Sequence, residues 1–218
     1  MPKRFELLVF DWDGTLMDSA AVIVSSIQAA CRDLDLPVPD KDAASHIIGL
    51  GLNEAMQALL PDLDAADYGR MVDRYRFHYL GRDAEIPLFS GVEESLRDLA
   101  EAGFMLAVAT GKSRKGLDRA LGYTGLGERF HATRCADECF SKPHPQMLLE
   151  LMDELGVAAE QTLMIGDTTH DLLMAQNANV AAVGVGYGAH PRENLEALSP
   201  LECFSDYAGL HDWLAAHA

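Results

Sequence analysis

Leu7-Leu8-Val9-Phe10-Asp11-Trp12-Asp13-Gly14-Thr15 decides how this chain is read. Phe5 and Leu7 to Phe10 form an apolar run broken only by Glu6, as a strand buried on both faces requires. Gly14 supplies the turn that follows, so Asp11 falls at the carboxyl end of the strand, where open α/β sheets place their chemistry. Alternation along extended backbone points Asp11 and Asp13 the same way and Trp12 the other, so Trp12 is expected to pack rather than react. Two like charges this close invite a cation between them or one raised pKa. Asp and Gly also dominate ordinary turns, and the segment alone reads equally as one.

A second acidic cluster breaks the tie. Leu163-Met164-Ile165 is another buried-strand run, followed by Gly166-Asp167-Thr168-Thr169-His170-Asp171. Asp167 again lies just past a strand end, and Asp171 lies one helical turn later on the same face. A third strand, Phe104 to Ala109, leads into Thr110-Gly111-Lys112-Ser113, a hydroxyl and free N–H groups at a helix start that favours anions. Thr110 or Ser113 serves equally as an ordinary N-cap. Finally, Lys142 in Ser141-Lys142-Pro143 precedes a proline suited to the first turn of a helix. Nucleophile, acid/base, anion donors, cation and metal carboxylates together are what phosphoryl transfer needs.

Asp11-Trp12-Asp13-Gly14-Thr15, Val108-Ala109-Thr110-Gly111, Ser141-Lys142-Pro143 and Gly166-Asp167-Thr168-Thr169-His170-Asp171 resemble, in order, the four motifs of the haloacid dehalogenase superfamily. The resemblance spans nearly the whole chain and is strongest to the phosphoglycolate-phosphatase-like branch, whose helical cap is inserted between the first and second motifs. Trp12 stands where that branch often has Phe. The resemblance implies a Mg²⁺-dependent phosphatase that hydrolyses a small, phosphoglycolate-like monoester through an aspartyl-phosphate. Asp11 would be the nucleophile and Asp13 the acid/base, while Thr110, Gly111 and Lys142 would hold the phosphoryl oxygens. Asp11, Asp167 and the main-chain carbonyl of Asp13 would hold the metal, and Asp171 would orient Lys142 or metal-bound water. Asp13 favours ester hydrolysis or mutase chemistry, since dehalogenases of the superfamily lack an acid there. The alternatives are a sugar-phosphate mutase resembling β-phosphoglucomutase and a non-catalytic phosphate-binding regulator. A mutase would need a second phosphate site, for which the loop His46-Ile47-Ile48-Gly49-Leu50-Gly51 is too apolar.

The fold class expected is α/β: a doubly wound, Rossmann-like parallel sheet with an inserted all-helical cap. Residues 1–17 and 86–218 would form the core and 18–85 the cap, because nothing from Ser19 to Arg82 reads as a strand. Helices are expected after Asp18 or Ser19, at Ala43–Ile48, Leu52–Leu60 and Ala65–Leu80, and strand–helix alternation resumes from Pro87. Polar residues of the cap that could touch substrate are Ser45, His46, Asn53, Arg76, His78 and Arg82.

A formal net charge of −17 over 218 residues argues against nucleic acid as partner, and an anionic substrate must then be held by local positive charge. Lys112, Arg114 and Lys115 cluster locally and read as a solvated helix face. Cys31, Cys135, Cys139 and Cys203 form no Cys-x-x-Cys pair; the four-residue spacing of His131, Cys135 and Cys139 would suit zinc only on a helix, and idle thiols are expected. Met1-Pro2-Lys3-Arg4 is basic, but the apolar run after it ends at Asp11, so neither signal peptide nor membrane span is expected and a cytoplasmic setting is the simplest. The sequence leaves monomer and homodimer open.

Overall fold

A computed structural model of the protein describes residues 4–217; the basic start Met1-Pro2-Lys3 lies outside them. Six strands form one parallel sheet in the order β3-β2-β1-β4-β5-β6. They are β1 (Leu7–Phe10), β2 (Met105–Thr110), β3 (Ala132–Cys135), β4 (Thr162–Gly166), β5 (Ala181–Val185) and β6 (Cys203–Phe204). The chain builds outward from β1 on one side, returns to β4 on its other side, and builds outward again. That reversal makes a crevice at the carboxyl ends of β1 and β4, the usual binding place in open α/β sheets.

The strands read as continuous apolar runs because both faces are covered. Leu8, Phe10, Leu106, Val108, Leu163 and Ile165 belong to one core, while Leu7, Val9, Ala107, Ala109 and Met164 belong to another. Alternate residues thus serve opposite faces. α5 (Val92–Glu101), α6 (Arg114–Thr124) and α10 (Tyr207–His217) contribute Leu96, Leu117 and Leu210 to the first core. α7 (Gln146–Leu155) and α8 (Thr169–Asn177) contribute Leu148, Leu151 and Met174 to the second. The short α9 (Arg192–Glu196) packs Leu195 beneath β6 with Cys203. Trp12 is fully buried, its indole N–H 3.4 Å from Met17 Sδ, so it packs as the strand alternation requires.

Four helices precede α5 in the segment between β1 and β2: α1 (Ala20–Asp33), α2 (Lys41–His46), α3 (Leu52–Leu59) and α4 (Tyr68–Leu80). α1 and α4 pack along each other through Ile23, Ile27, Met71 and Tyr79. The chain leaves and re-enters the sheet domain side by side, with Asp18 N donating to Pro87 O at 2.9 Å and Phe89 N to Leu16 O at 3.0 Å. No helix among the described residues is long and apolar enough to cross a membrane.

Several caps differ from expectation. Ser19 occupies the N-cap position of α1 but caps nothing; its hydroxyl is donated to Asp13 instead. Ser113, not Thr110, caps α6 by accepting from Gly116 N. α8 starts directly after Thr168, which forms a capping box with Asp171. Pro143 is not in a helical first turn: the Lys142–Pro143 bond is cis, and α7 begins at Gln146 after Pro145 at the N-cap. His131, Cys135 and Cys139 run from the start to beyond the end of β3 rather than along one helix.

Candidate active site

β1 and β4 are hydrogen-bonded neighbours with Phe10 opposite Ile165, so Asp11 and Asp167 leave the sheet side by side. Asp171, in the first turn of α8, joins them: all three are buried, and one carboxylate oxygen of each lies within 4.8 Å of the others. Lys142 comes in from the loop before α7, its Nζ 2.7 Å from Asp11 Oδ1 and 2.6 Å from Asp171 Oδ1. One ammonium therefore bridges two of three clustered carboxylates in a buried site. Burial raises the pKa of Asp11; Lys142 opposes this, and the Asp171 and Asp13 carboxylates add to it. Burial, then Asp11 and Asp171, raise Asp167 well above the usual carboxylate range. Burial also penalises the charge of Lys142, but Asp11 and Asp171 outweigh that and hold it cationic.

The surplus negative charge has a natural counterpart. Asp11 Oδ2 is buried and has neither hydrogen bond nor ion pair among the described residues. Its neighbour Asp167 is held still: Thr15 Oγ1 donates to Oδ1 at 2.8 Å and Ala189 N to Oδ2 at 2.7 Å. A Cβ on Gly14 (φ +82°) or on Gly188 would strike this same carboxylate, so the two glycines form its cradle. An all-oxygen donor set with an unsatisfied oxygen suits a hard divalent cation such as Mg²⁺, and Asp11 and Asp167 are placed to share one.

Asp13 stands apart from that trio. Ser19 Oγ donates to its Oδ1 at 2.7 Å, and Lys112 Nζ lies 3.0 Å from its Oδ2. Lys112 is therefore no solvated surface residue. Its Nζ also donates to Tyr79 OH at 2.9 Å, and it packs against that ring. Burial works against its charge, yet Asp13 and Tyr79 hold its pKa above the ordinary lysine value. Arg114, by contrast, is on the outer side of α6, paired with Glu138. Thr110 is buried at the end of β2, its Oγ1 accepting from Lys112 N at 3.2 Å.

The loop 47–51 between α2 and α3 lies against these strand ends. Gly51 N donates to Ser141 Oγ at 2.7 Å, and a Cβ on Gly111 would meet Gly49 O and Leu50 O. Glycine at position 111 is what lets the 47–51 loop approach so closely. Of the polar residues expected to read substrate from this unit, Asn53 and Arg76 line the cavity shared with Asp11 and Asp13. His78 is instead paired with Asp33 at 2.6 Å, Arg82 donates to Ser25 Oγ at 3.0 Å, and Ser45 lies outside the lining. His46 engages the core through its carbonyl, 2.9 Å from His170 Nε2 and 3.1 Å from His190 Nε2.

His46 stacks on His190, and His170 stands edge-on to it. Thr169 N donates to His190 Nδ1 at 3.0 Å, so Nδ1 is an acceptor and the proton is on Nε2. Burial, then His170, push its pKa down from 6.5 to about 4. Folded chain thus holds His190 neutral while unfolded chain protonates it, so the unfolded state binds more protons between these values. Stability from this group is complete above about pH 6.5 and is lost as the pH falls toward 4. Urea midpoints measured across that span should fall with acidification, and the fall should be shallower in His190→Gln; parallel curves for the two proteins would contradict this.

With fold and geometry in place, comparison with known proteins agrees. Residues 8–185 match the family model described as haloacid dehalogenase-like hydrolase. A protein named Probable phosphatase IndB, from Dickeya dadantii, is 39% identical over 97% of this chain and 94% of its own length. A phosphoglycolate phosphatase of Colwellia psychrerythraea is 31% identical over 93% of each chain. The crystal structure of a predicted phosphoglycolate phosphatase from Haemophilus somnus superposes with a TM-score of 0.87 at 27% identity, covering 97% of this chain and 99% of that one. The chain belongs to the haloacid dehalogenase-like hydrolase family and stands among its phosphatases.

Four contributors escaped the sequence reading: Ser19, Lys112, Gly188 with the Ala189 N–H, and His190. Only Lys112 carried a signal, its position directly after Thr110-Gly111.

Proposed function

We propose that this chain is a Mg²⁺-dependent phosphatase that cleaves a small phosphate monoester through a phosphoryl group carried on Asp11. The observation that carries the reading is the unpartnered, buried oxygen of Asp11 beside Asp167. When bound there, the cation would neutralise the repulsion between the Asp11 carboxylate and the phosphate dianion. A carboxylate oxygen of Asp11 attacks phosphorus, and the bond from phosphorus to the leaving oxygen breaks. Asp13 gives its proton to that oxygen, then takes one from the water that attacks phosphorus and frees Asp11 and inorganic phosphate. Lys142 supplies the fixed positive charge for the phosphoryl oxygens and Thr110 and Gly111 supply donors at the end of β2. Asp171 acts through Lys142, which it holds at 2.6 Å. Residues 18–85 act as the cap that closes over the reacting group and excludes water.

Two features support the acid/base role of Asp13: it lines the cavity where the leaving oxygen would sit, and Ser19 and Lys112 fix its carboxylate. Phosphate release from a panel of monoesters should need Mg²⁺, vanish with EDTA and return on adding Mg²⁺. Release that persists in EDTA would contradict the proposal.

A further inference from the structure

We infer that the alcohol this site cleaves from phosphate is bulky and largely apolar or aromatic, on the scale of a benzyl or longer alkyl group, rather than the two-carbon acid of phosphoglycolate. The inference rests on the hydrolase reading above and narrows its substrate. The cavity that opens from Asp11 and Asp13 measures about 520 Å³. That falls within the ~300–1,000 Å³ of sites that enclose ligands of drug size.

The volume is not the product of an open cap. Gly51 N is hydrogen-bonded to Ser141, the Gly49 and Leu50 carbonyls lie over Gly111, and His46 O is held by His170 and His190. The space persists with those contacts made. A two-carbon leaving group would leave most of it to water against apolar walls.

The walls name the chemistry. Away from the carboxylates the lining includes Ile23 and Ile27 of α1, Met56 of α3, Tyr75 and Tyr79 of α4, and Tyr123 of α6. Tyr75 and Tyr79 stack with ring centroids 5.7 Å apart. Such surface gains by burying hydrocarbon and by ring contacts; the lining also carries Asn53, Glu54, Arg76 and Lys115, and an Asp83–Arg119 pair at 3.3 Å. Lys112 lies between Asp13 and Tyr79 on the lining, and two of its three N–H donors are accounted for.

The test is kcat/KM, with Mg²⁺ present, for ethyl, butyl, hexyl and benzyl phosphate and for phosphoglycolate. About 0.8 kcal/mol per buried methylene predicts a rise of about fourfold per methylene along the alkyl series. Benzyl phosphate should exceed phosphoglycolate by about tenfold or more. Leu52→Trp, which enlarges a half-buried side chain on the cavity wall, should lower the hexyl and benzyl values and spare the ethyl one. A flat alkyl series, or phosphoglycolate turned over faster than benzyl phosphate, would overturn the inference. If no ester is cleaved, the hydrolase reading fails, and calorimetric binding of hexyl- and ethylphosphonate then decides this inference by itself. Tighter binding of the hexyl compound upholds it; equal affinity overturns it.

Discussion

Asp11→Asn should abolish turnover, lowering kcat by about four orders of magnitude or more, the scale of removing a nucleophile that acts as part of a unit. The amide is nearly the same size and cannot form the acyl-phosphate. It also removes one negative charge from a buried group of three, two of them bridged by a single ammonium, so folding should not suffer. Thermal unfolding measured beside the assay separates the two effects. A variant with wild-type melting and no phosphate release fits the account; one that still releases phosphate at a substantial rate removes Asp11 from the reaction.

Lys142→Met should be the most destabilising single change in the site. The side chain is fully shielded and bridges Asp11 and Asp171. Removing one partner of a buried ion pair leaves uncompensated charge and costs about 3–5 kcal/mol. Here Asp11 and Asp171 would lose the ammonium that bridges them, beside a third buried carboxylate. The deficit should narrow as the pH is lowered, because protons then neutralise the crowded carboxylates, and Mg²⁺ should recover part of it. Urea titrations of wild type and variant at several pH values check this. A variant as stable as wild type at neutral pH would show that Lys142 does not carry the charge balance.

Both expectations concern residues that were legible in the sequence, for a physical reason. A strand buried on both faces must be a nearly continuous apolar run, so acids directly after Phe10 and Gly166 stand out at strand ends. The parallel sheet then places neighbouring strand ends together, and β1 beside β4 brings Asp11 to Asp167. The helical segment between β1 and β2 was legible from its period. What escaped was set by contacts between distant segments. Lys112 at a helix start reads as solvated; it is buried because α4 lays Tyr79 over it, 33 residues away in sequence. Ser19 reads as a helix cap, but Asp13 competes for its hydroxyl and wins. Gly188 and His190 follow β5 in a stretch with no motif, and their roles depend on Asp167 and His46 arriving from elsewhere. His78 and Arg82 looked as suitable as Asn53 and Arg76, since charge and helix period do not say which faces of α3 and α4 meet the cavity.

Calorimetric titration of Mg²⁺ into the chain and into Asp167→Asn tests the centre of the account most directly. The account predicts saturable binding of one ion per wild-type chain, at the unpartnered oxygen of Asp11 and the cradled carboxylate of Asp167, and its loss in the variant. No saturable binding to wild type, or the same affinity in the variant, would contradict it.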